Sequence, residues 1–337
     1  MMSKTVKKIL KSNLVFQGGG VLGVAYLGAI DYLAEIGVLQ KIVKVAGVSA
    51  GAITACVTSF NLPFDETKKI SDSLEFEKVL DKRDVAEVGK FSNSIKMEVE
   101  DLFGDIHCLH RLMNNYGFYS TDYFYNWMCE VIKDQFDQQK KLPPYTFADF
   151  KNASIHKEER QFKDLYVKGT DISMKESRLF SYETTPNLEV AEAVKISMSI
   201  PLYFEATKRI IPEETDNPTD INIYEGQRFF SDGGIMANYP INIFDGKKVN
   251  FQTLGVRISS ETVYKKISNL LEYIVGLMEA FMSVQNDYYN NNSVDKARTI
   301  EIKTGQMSPM KFNMKTGDET YNFLYQQGYN AAKAFFR

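Results

Sequence analysis

A serine between two glycines is the first candidate for chemistry. Residues 41–57 are KIVKVAGVSAGAITACV, and residues 47–51 form a G-x-S-x-G motif around Ser49. The β-branched run predicts a buried strand over 42–46, and the alanine-rich run predicts a helix from residue 50. A strand that turns into a helix over one serine presents the hydroxyl as a nucleophile. The alternative is a tight strand–helix turn whose serine has no chemical role.

A glycine-rich segment could stabilise negative charge on a carbonyl oxygen. GGGVLG, residues 18–23, follows a strand predicted over 14–17 and precedes a predicted helix. Consecutive glycines let backbone N–H groups converge on one oxyanion, and a helix N-terminus adds a favourable dipole. The same letters spell the G-x-G-x-x-G of dinucleotide-binding folds. That alternative is disfavoured because the second strand ends in VKVAG, without the acidic residue that binds the ribose.

The sequence offers few histidines as a general base for Ser49. They are His107, His110 and His156, and none lies in the C-terminal half, where the histidine of an α/β-hydrolase triad occurs. His107 and His110, with Cys108, could be interpreted as a metal pair. A solvated helix face is the preferred interpretation, because no complementary ligand cluster follows. A carboxylate beside the serine could act as the base instead.

Asp232 is the best candidate for such a carboxylate. It follows an aromatic strand in FFSDGGIMANYP, and the two glycines after it permit close backbone approach. The alternative is an Asp-Gly turn in a β-hairpin, and this segment alone does not decide between the two.

The order of elements predicts the fold that must position these groups. Strand, glycine loop, helix, strand and serine turn alternate as in a parallel sheet flanked by helices. Further strands are predicted over 164–173, from residue 228 and over 249–259, and a helix over 190–198. From about residue 262 the pattern changes to long helices.

Composition narrows the class of protein. The chain has 337 residues, of which 44% are hydrophobic and 25% charged, as in an ordinary globular protein. A net charge of −3 gives no basic field for nucleic acid. We find no apolar run typical of a signal peptide or transmembrane helix, and Cys56, Cys108 and Cys129 follow no disulfide pattern. A cytoplasmic location is expected. The sequence is also compatible with export by a route that needs no N-terminal signal.

Four motifs together resemble the patatin-like phospholipases, particularly the bacterial members. They are QGGGVLG, GVSAG, SMSIP and SDGG, in the family's order. The resemblance implies a three-layer α/β/α fold with a central, mostly parallel sheet. It covers 13–258, which is therefore expected to be the patatin-like domain, and 259–337 would be a helical C-terminal extension packed on the same core.

The resemblance also implies a serine–aspartate dyad without histidine. Ser49 would be the nucleophile and Asp232 the general base, and backbone N–H groups of Gly18, Gly19 and Gly20 would form the oxyanion hole. The implied activity is hydrolysis of acyl esters of phospholipids or lysophospholipids, without calcium or another cofactor. Alternatives are a soluble-ester esterase or acyltransferase, and a non-catalytic lipid- or nucleotide-binding module. The presence of all these residues argues against the binding module.

Leu22 departs from the family pattern, in which many relatives carry Arg or Lys after the glycine run. Loss of that cation is expected to weaken attraction to a phospholipid phosphate or to alter the support of the glycine loop. The backbone N–H donors of the loop are not removed. An acyl chain also needs an apolar trough. Candidates, which ordinary core packing explains equally well, are Met198, Ile200, Leu202, Tyr203 and Phe204.

Contact with a membrane surface would come from folded patches or from the N-terminus. Lysines there could contact anionic headgroups, although a solvated terminus is the preferred interpretation. These lysines are Lys4, Lys7, Lys8 and Lys11. The helix around 270–282 could be a lid or a membrane-facing element, with core packing the commoner role. The sequence leaves open whether a protein or small molecule activates the enzyme.

Overall fold

The structure is a computed structural model that describes residues 10–80, 106–209, 228–261 and 264–337, with the backbone alone for 106–110. The strands in these parts of the chain are β1 Asn13–Phe16, β2 Lys44–Val48, β3 Gly117–Tyr119, β4 Asp164–Asp171, β5 Glu176–Phe180, β6 Leu202–Phe204, β7 Thr207–Arg209, β8 Arg228–Asp232, β9 Thr253–Ser260 and β10 Thr299–Gly305. The α-helices are α1 Val24–Glu35, α2 Ala50–Ser59, α3 Phe64–Asp72, α4 Phe76–Val79, α5 Ile106–Asn115, α6 Asp122–Lys133, α7 Phe147–Lys151, α8 Val190–Met198, α9 Gly234–Ala237, α10 Leu270–Asn290, α11 Ser293–Ala297 and α12 Glu319–Phe336.

The central sheet is mostly parallel, and β1 lies between β9 and β2. Its order is β10-β9-β1-β2-β4-β8-β7, and β5 pairs with β4 outside this path. Neighbours from β10 to β4 run parallel, whereas β5, β7 and β8 join by antiparallel pairing. Helices flank the sheet, which confirms the predicted α/β fold class.

Strand β1 is covered on both faces. Leu14 and Phe16 belong to the main hydrophobic core, whereas Val15 packs in a second cluster on the other side of the sheet. This burial explains why the run LVF is continuously apolar instead of alternating. The predicted strands over 14–17 and 42–46 are confirmed, with ends displaced by one or two residues.

The C-terminal segment adds a strand that we did not predict. β10 follows α10 and α11 and pairs in parallel with β9. Its sequence TIEIKTG alternates, and Ile300 and Ile302 are buried while Glu301 and Lys303 are exposed. The boundary at residue 258 stays a prediction, but the segments on either side of it share one sheet.

Helices α1 and α12 approach each other closely at two glycines. A Cβ atom on Gly28 would lie 1.8 Å from the carbonyl oxygen of Tyr325, and one on Gly328 would lie 1.8 Å from that of Ala25. No side chain fits at either position without moving a backbone. The last helix is thereby held against the first helix of the α/β core.

We expect Gly328→Ala to lower the free energy of unfolding by about 1–3 kcal/mol, because the added methyl group overlaps the backbone of α1. Gly246→Ala is the matched control, since a Cβ atom there would have no heavy atom within 4 Å. Urea unfolding of both variants measures the difference. Equal stability of the two variants would contradict the close packing.

Candidate active site

Ser49 lies where β2 turns directly into α2. Its backbone angles are φ 53° and ψ −126°, in the left-handed region that residues with a side chain rarely adopt. The residue is buried, yet it lines a cavity. The predicted strand, sharp turn and helix are all present, as in a nucleophile elbow.

The two glycines of the motif let α2 pack on the backbone of the sheet. A Cβ atom on Gly47 would lie 2.0 Å from the carbonyl oxygen of Gly51. A Cβ atom on Gly51 would lie 2.5 Å from the carbonyl oxygens of both Phe16 and Gln17. The motif therefore brings the first turn of α2 against β1 and β2, and the serine sits at the junction.

Ser197, from the SMSIP motif, holds the strained turn. The Ser49 N–H donates to Ser197 Oγ at 2.9 Å, and Ser197 Oγ donates to the carbonyl oxygen of Lys168 at 2.6 Å. A buried N–H without a partner costs free energy, so this hydroxyl stabilises the turn. Sequence reasoning used the motif for the resemblance but gave Ser197 no role.

Strands β2 and β8 meet end to end along one edge of β4. β2 pairs in parallel with residues 164–168, and β8 pairs antiparallel with residues 169–171. The two strands run in opposite directions, so their carboxyl ends face each other. This arrangement brings Ser49 and Asp232 to the same cavity, where the Ser49 hydroxyl lies close enough to the carboxyl group to lower its pKa.

The backbone around Asp232 is fixed by several hydrogen bonds. Its N–H donates to the carbonyl oxygen of Ser199 at 2.8 Å, and its carbonyl oxygen accepts from Thr170 Oγ1 at 2.9 Å. The Gly234 N–H donates to Asp232 Oδ1 at 2.6 Å. The chain then enters α9, so the alternative of an Asp-Gly hairpin turn is wrong.

Burial raises the pKa of Asp232 to about 7, although hydrogen bonds from Ser49 and Gly234 lower it. Burial dominates because an ionised carboxylate loses its hydration in the protein interior. The carboxyl group therefore exchanges its proton near neutral pH, which suits a general base.

The three glycines of the loop line the cavity, and their N–H groups differ in whether they have an acceptor. The Gly18 N–H donates to the carbonyl oxygen of Asn238 at 2.9 Å, so it is already engaged. The N–H groups of Gly19 and Gly20 have no acceptor among the described residues, and both glycines line the cavity. The Val21 N–H donates to the carbonyl oxygen of Pro309 at 2.9 Å, which supports the loop from the C-terminal segment.

A cavity of about 460 Å³ opens beside Ser49 and Asp232. Its walls are mostly apolar, and many of them come from α10 and from residues 306–310. Of the trough candidates, Ile200 lines it. Met198, Tyr203 and Phe204 are buried in the core instead, and Leu202 lies partly exposed outside the cavity lining.

Gln285 of α10 braces the segment that follows Asp232. Its Nε2 donates to the carbonyl oxygens of Gly234 at 2.8 Å and Ile235 at 3.2 Å. Its Oε1 accepts from the Asn238 N–H at 2.7 Å. No local pattern marks one glutamine within a long apolar helix, so sequence reasoning could not have found it.

The histidines do not contribute to this site where they are described. His156 is buried, stacks on Phe162 with ring centroids 3.6 Å apart, and its ring nitrogens contact two backbone carbonyls. His107 and His110 belong to α5, but their side chains lie outside the described residues. Across the described ranges, no group of three or more His, Cys, Asp or Glu could hold a metal ion.

Lys11 fits neither interpretation of the N-terminal lysines, contact with headgroups or a solvated terminus. Lys11 is buried, and its Nζ donates to the carbonyl oxygen of Phe251 at 2.8 Å, so it does not face headgroups. Lys4, Lys7 and Lys8 lie outside the described residues. Among the helices that the structure describes, none combines the length and apolar character needed to cross a bilayer.

A comparison with models of protein families identifies the family to which this chain belongs. The family model for patatin-like phospholipase matches residues 14–245. This chain belongs to the patatin-like phospholipase family. Ser49, Asp232 and the glycine loop lie inside the matched region of the patatin-like domain, whereas Gln285 and Pro309 lie outside it.

Individual relatives of this patatin-like protein are distant in sequence. It is 24% identical to an uncharacterized protein of Acanthamoeba polyphaga mimivirus, over 99% of this chain and 97% of that one. It is 28% identical to YqhO of Bacillus subtilis, over 79% and 78% of the two chains. It is 26% identical to the probable lipid hydrolase 463L of Invertebrate iridescent virus 6, over 72% of this chain and 66% of that one.

The crystal structure of VipD from Legionella pneumophila shares the fold. The two superpose with a TM-score of 0.58 at 18% sequence identity, over 97% of this chain and 67% of VipD. The likeness extends past residue 245, so it includes the C-terminal part of this chain as well as the matched domain.

The raised pKa of Asp232 predicts a pH-dependent stability. The pKa is about 7 in the folded protein against an ordinary value of 3.8, so the folded state binds more protons between these values. The free energy of unfolding therefore falls as the pH rises through this window. The Asp232→Asn variant keeps an oxygen that can accept from the Gly234 N–H, but it has no carboxyl group to titrate. Its free energy of unfolding should therefore not fall in this window. The difference in free energy of unfolding between the variant and wild type should increase in favour of the variant from about pH 4 to about pH 8.

Urea unfolding at a series of pH values measures this difference. Ser49→Ala is the control, because it retains the carboxyl group and should retain the pH dependence of the wild type. Parallel pH profiles for wild type and Asp232→Asn would show that Asp232 does not titrate near neutral pH.

Proposed function

We propose that this protein hydrolyses acyl esters of phospholipids or lysophospholipids, with Ser49 as nucleophile and Asp232 as general base. The observation that carries the proposal is that Ser49, at a strained turn, and the buried carboxyl group of Asp232 line the same apolar cavity. Family membership supports the substrate class, and 463L is named as a probable lipid hydrolase.

Acylation begins when Asp232 accepts the proton of the Ser49 hydroxyl. The serine oxygen attacks the ester carbonyl carbon, and the carbonyl oxygen becomes an oxyanion. The N–H groups of Gly19 and Gly20 stabilise that charge, and each such donor contributes about 2.7–4 kcal/mol. Collapse of the tetrahedral intermediate breaks the ester bond. Protonated Asp232 returns its proton to the departing alcohol, which leaves an acyl-enzyme.

Deacylation uses the same groups with water as the nucleophile. Asp232 takes a proton from the water, whose oxygen attacks the acyl-enzyme carbonyl, and the proton then returns to Ser49 as the fatty acid leaves. Every proton transfer is assigned to Asp232, so the mechanism requires neither histidine nor calcium.

Gly18 has a supporting role in this proposal, which differs from the role that the resemblance implied. A Cβ atom on Gly18 would lie 2.2 Å from Asn238 Oδ1 and 3.3 Å from Ser49 Cβ. Its lack of a side chain lets Asn238 and Ser49 come together, while Gly19 and Gly20 supply the donors.

Leu22, where many relatives carry a cation, is buried and lines the cavity. The loop it belongs to is supported instead through the hydrogen bond between Val21 and Pro309. We propose that Leu22 extends the apolar wall for the acyl chain.

We propose that the enzyme acts at the surface of membranes in the cytoplasm. A wild type whose Ser49 is reactive but which releases no fatty acid would indicate that an activator is missing.

The decisive experiment measures fatty-acid release from mixed phospholipid and lysophospholipid vesicles in the presence of EDTA. We expect activity in wild type and a loss of at least about a thousandfold in Ser49→Ala and Asp232→Asn, because each removes a group that forms or breaks bonds. Circular dichroism confirms that the variants are folded. Activity that survives Asp232→Asn, or that EDTA abolishes, would overturn the dyad or the calcium independence.

A fluorophosphonate probe tests whether Ser49 is reactive, independently of whether the right lipid has been supplied. Labelling of wild type but not of Ser49→Ala, without fatty-acid release, would mean that the lipid or an activator is missing. Hydrolysis of short-chain soluble esters alone would favour a soluble-ester esterase. Absence of both labelling and hydrolysis would favour a non-catalytic lipid-binding module.

The pKa of Asp232 predicts the pH profile of the reaction. The base is active only when ionised, so kcat/KM for a soluble short-chain ester should rise with pH and level off above about 7. A short-chain ester keeps vesicle properties out of the measurement. The rate of fluorophosphonate labelling should follow the same curve, and a profile that is flat between about pH 5 and about pH 8 would exclude Asp232 as the base.

A further inference from the structure

Helix α10 exposes a continuous row of apolar side chains, which we name the apolar stripe. Its members are Tyr273, Leu277, Phe281, Val284 and Tyr288. They are spaced by three or four residues, and at about 100° per residue they lie within about 80° of arc. The stripe extends about 22 Å along the helix axis, at about 1.5 Å per residue.

The opposite side of the same helix forms a wall of the cavity beside Ser49. Val275, Met282 and Asn286 line that cavity and lie about half a turn from the stripe. Phe281 belongs to both, since it lines the cavity and is also exposed. The stripe therefore reaches the rim of the catalytic cavity.

The residue types of the stripe suit a lipid interface. Tyrosine stands at each end, and leucine, phenylalanine and valine lie between them. Tyrosine rings favour the boundary between headgroups and acyl chains, while the other side chains favour the apolar phase. An exposed row of this size is uncommon on a surface that contacts only water.

The charges of α10 indicate which lipids it would contact. The helix sequence LLEYIVGLMEAFMSVQNDYYN contains Glu272, Glu279 and Asp287 and no lysine or arginine. Such a helix gains nothing from anionic headgroups, so its attraction to a bilayer would be hydrophobic and insensitive to salt.

We propose that the apolar stripe docks the protein on a lipid bilayer, including one of zwitterionic lipid, and places the cavity rim at the surface. The inference rests on the proposed lipid hydrolysis, because the acyl chain must pass from a bilayer to Ser49. Transfer at the rim keeps each methylene group out of water, where its exposure is unfavourable.

The test measures binding of the full chain to phosphatidylcholine vesicles by flotation, with Ser49→Ala present throughout so that lipid is not consumed. Val284→Asp and Tyr288→Asp should each lower the partition coefficient about tenfold or more, because a charge replaces an apolar contact. Leu142→Asp is the matched control, since Leu142 is 67% exposed and Val284 is 69% exposed. It should bind like the parent.

Several results would overturn the proposal. These are no binding by the parent protein, undiminished binding by both stripe variants, or an equal loss in the Leu142→Asp control. A steep loss of binding between about 0.05 and about 0.5 M salt would assign docking to basic residues instead. Sedimentation that shifts from dimer to monomer in Val284→Asp would make the stripe an interface between two copies of this chain.

A second measurement separates this proposal from the proposed function. With Ser49 intact, Val284→Asp should hydrolyse a soluble short-chain ester at the wild-type rate, because Val284 does not line the cavity. Its release of fatty acid from phosphatidylcholine vesicles should fall with its binding. If wild type cleaves neither substrate and the fluorophosphonate does not label Ser49, the proposed function fails, while vesicle binding still decides the role of the stripe.

Discussion

Two strands that end head to head against β4 position the candidate catalytic groups of this protein. β2 delivers Ser49 from one direction and β8 delivers Asp232 from the other, and neither side chain could reach its partner if either strand were displaced by one residue. A shift of one residue would also turn every side chain of that strand to the opposite face. The presence of serine and aspartate in one cavity is therefore a product of sheet register, and the surrounding contacts serve to keep that register.

The strain at Ser49 is balanced by packing and hydrogen bonding that reach it from distant parts of the chain. Ser197 accepts its N–H, the glycines at 47 and 51 let α2 approach the sheet, and Gln285 holds the segment after Asp232. A backbone in the left-handed region costs on the order of 1–3 kcal/mol and persists only where the surroundings determine it. The cavity beside these groups is lined mostly by apolar side chains, and burial of Asp232 at this place raises the pKa of its carboxyl group.

Sequence reasoning located the groups that depend on local geometry. The turn at Ser49 follows from glycine spacing between two apolar runs, and the fold class follows from the alternation of strands and helices. The role of Asp232 required the family resemblance, since its own segment fits a hairpin equally well. Three features could not be predicted because they depend on contacts between distant residues. They are the engagement of the Gly18 N–H by Asn238, the bracing by Gln285, and the burial of Lys11 against Phe251. Strand β10 did have a sequence signal, because apolar and polar residues alternate in TIEIKTG. We did not predict it because that segment follows a long predicted helix.

The support that Pro309 gives to Val21 has a consequence for the order of events during synthesis. The glycine loop leaves the ribosome before the carbonyl that holds it, because Pro309 lies 288 residues after Val21 in the chain. Strand β1 likewise lies between β2, made early, and β9, made late. A nascent chain that has not yet reached β9 has neither a complete sheet nor a supported loop. Support for the glycine loop therefore waits until β9 and Pro309 have been made, long after the serine has entered the chain.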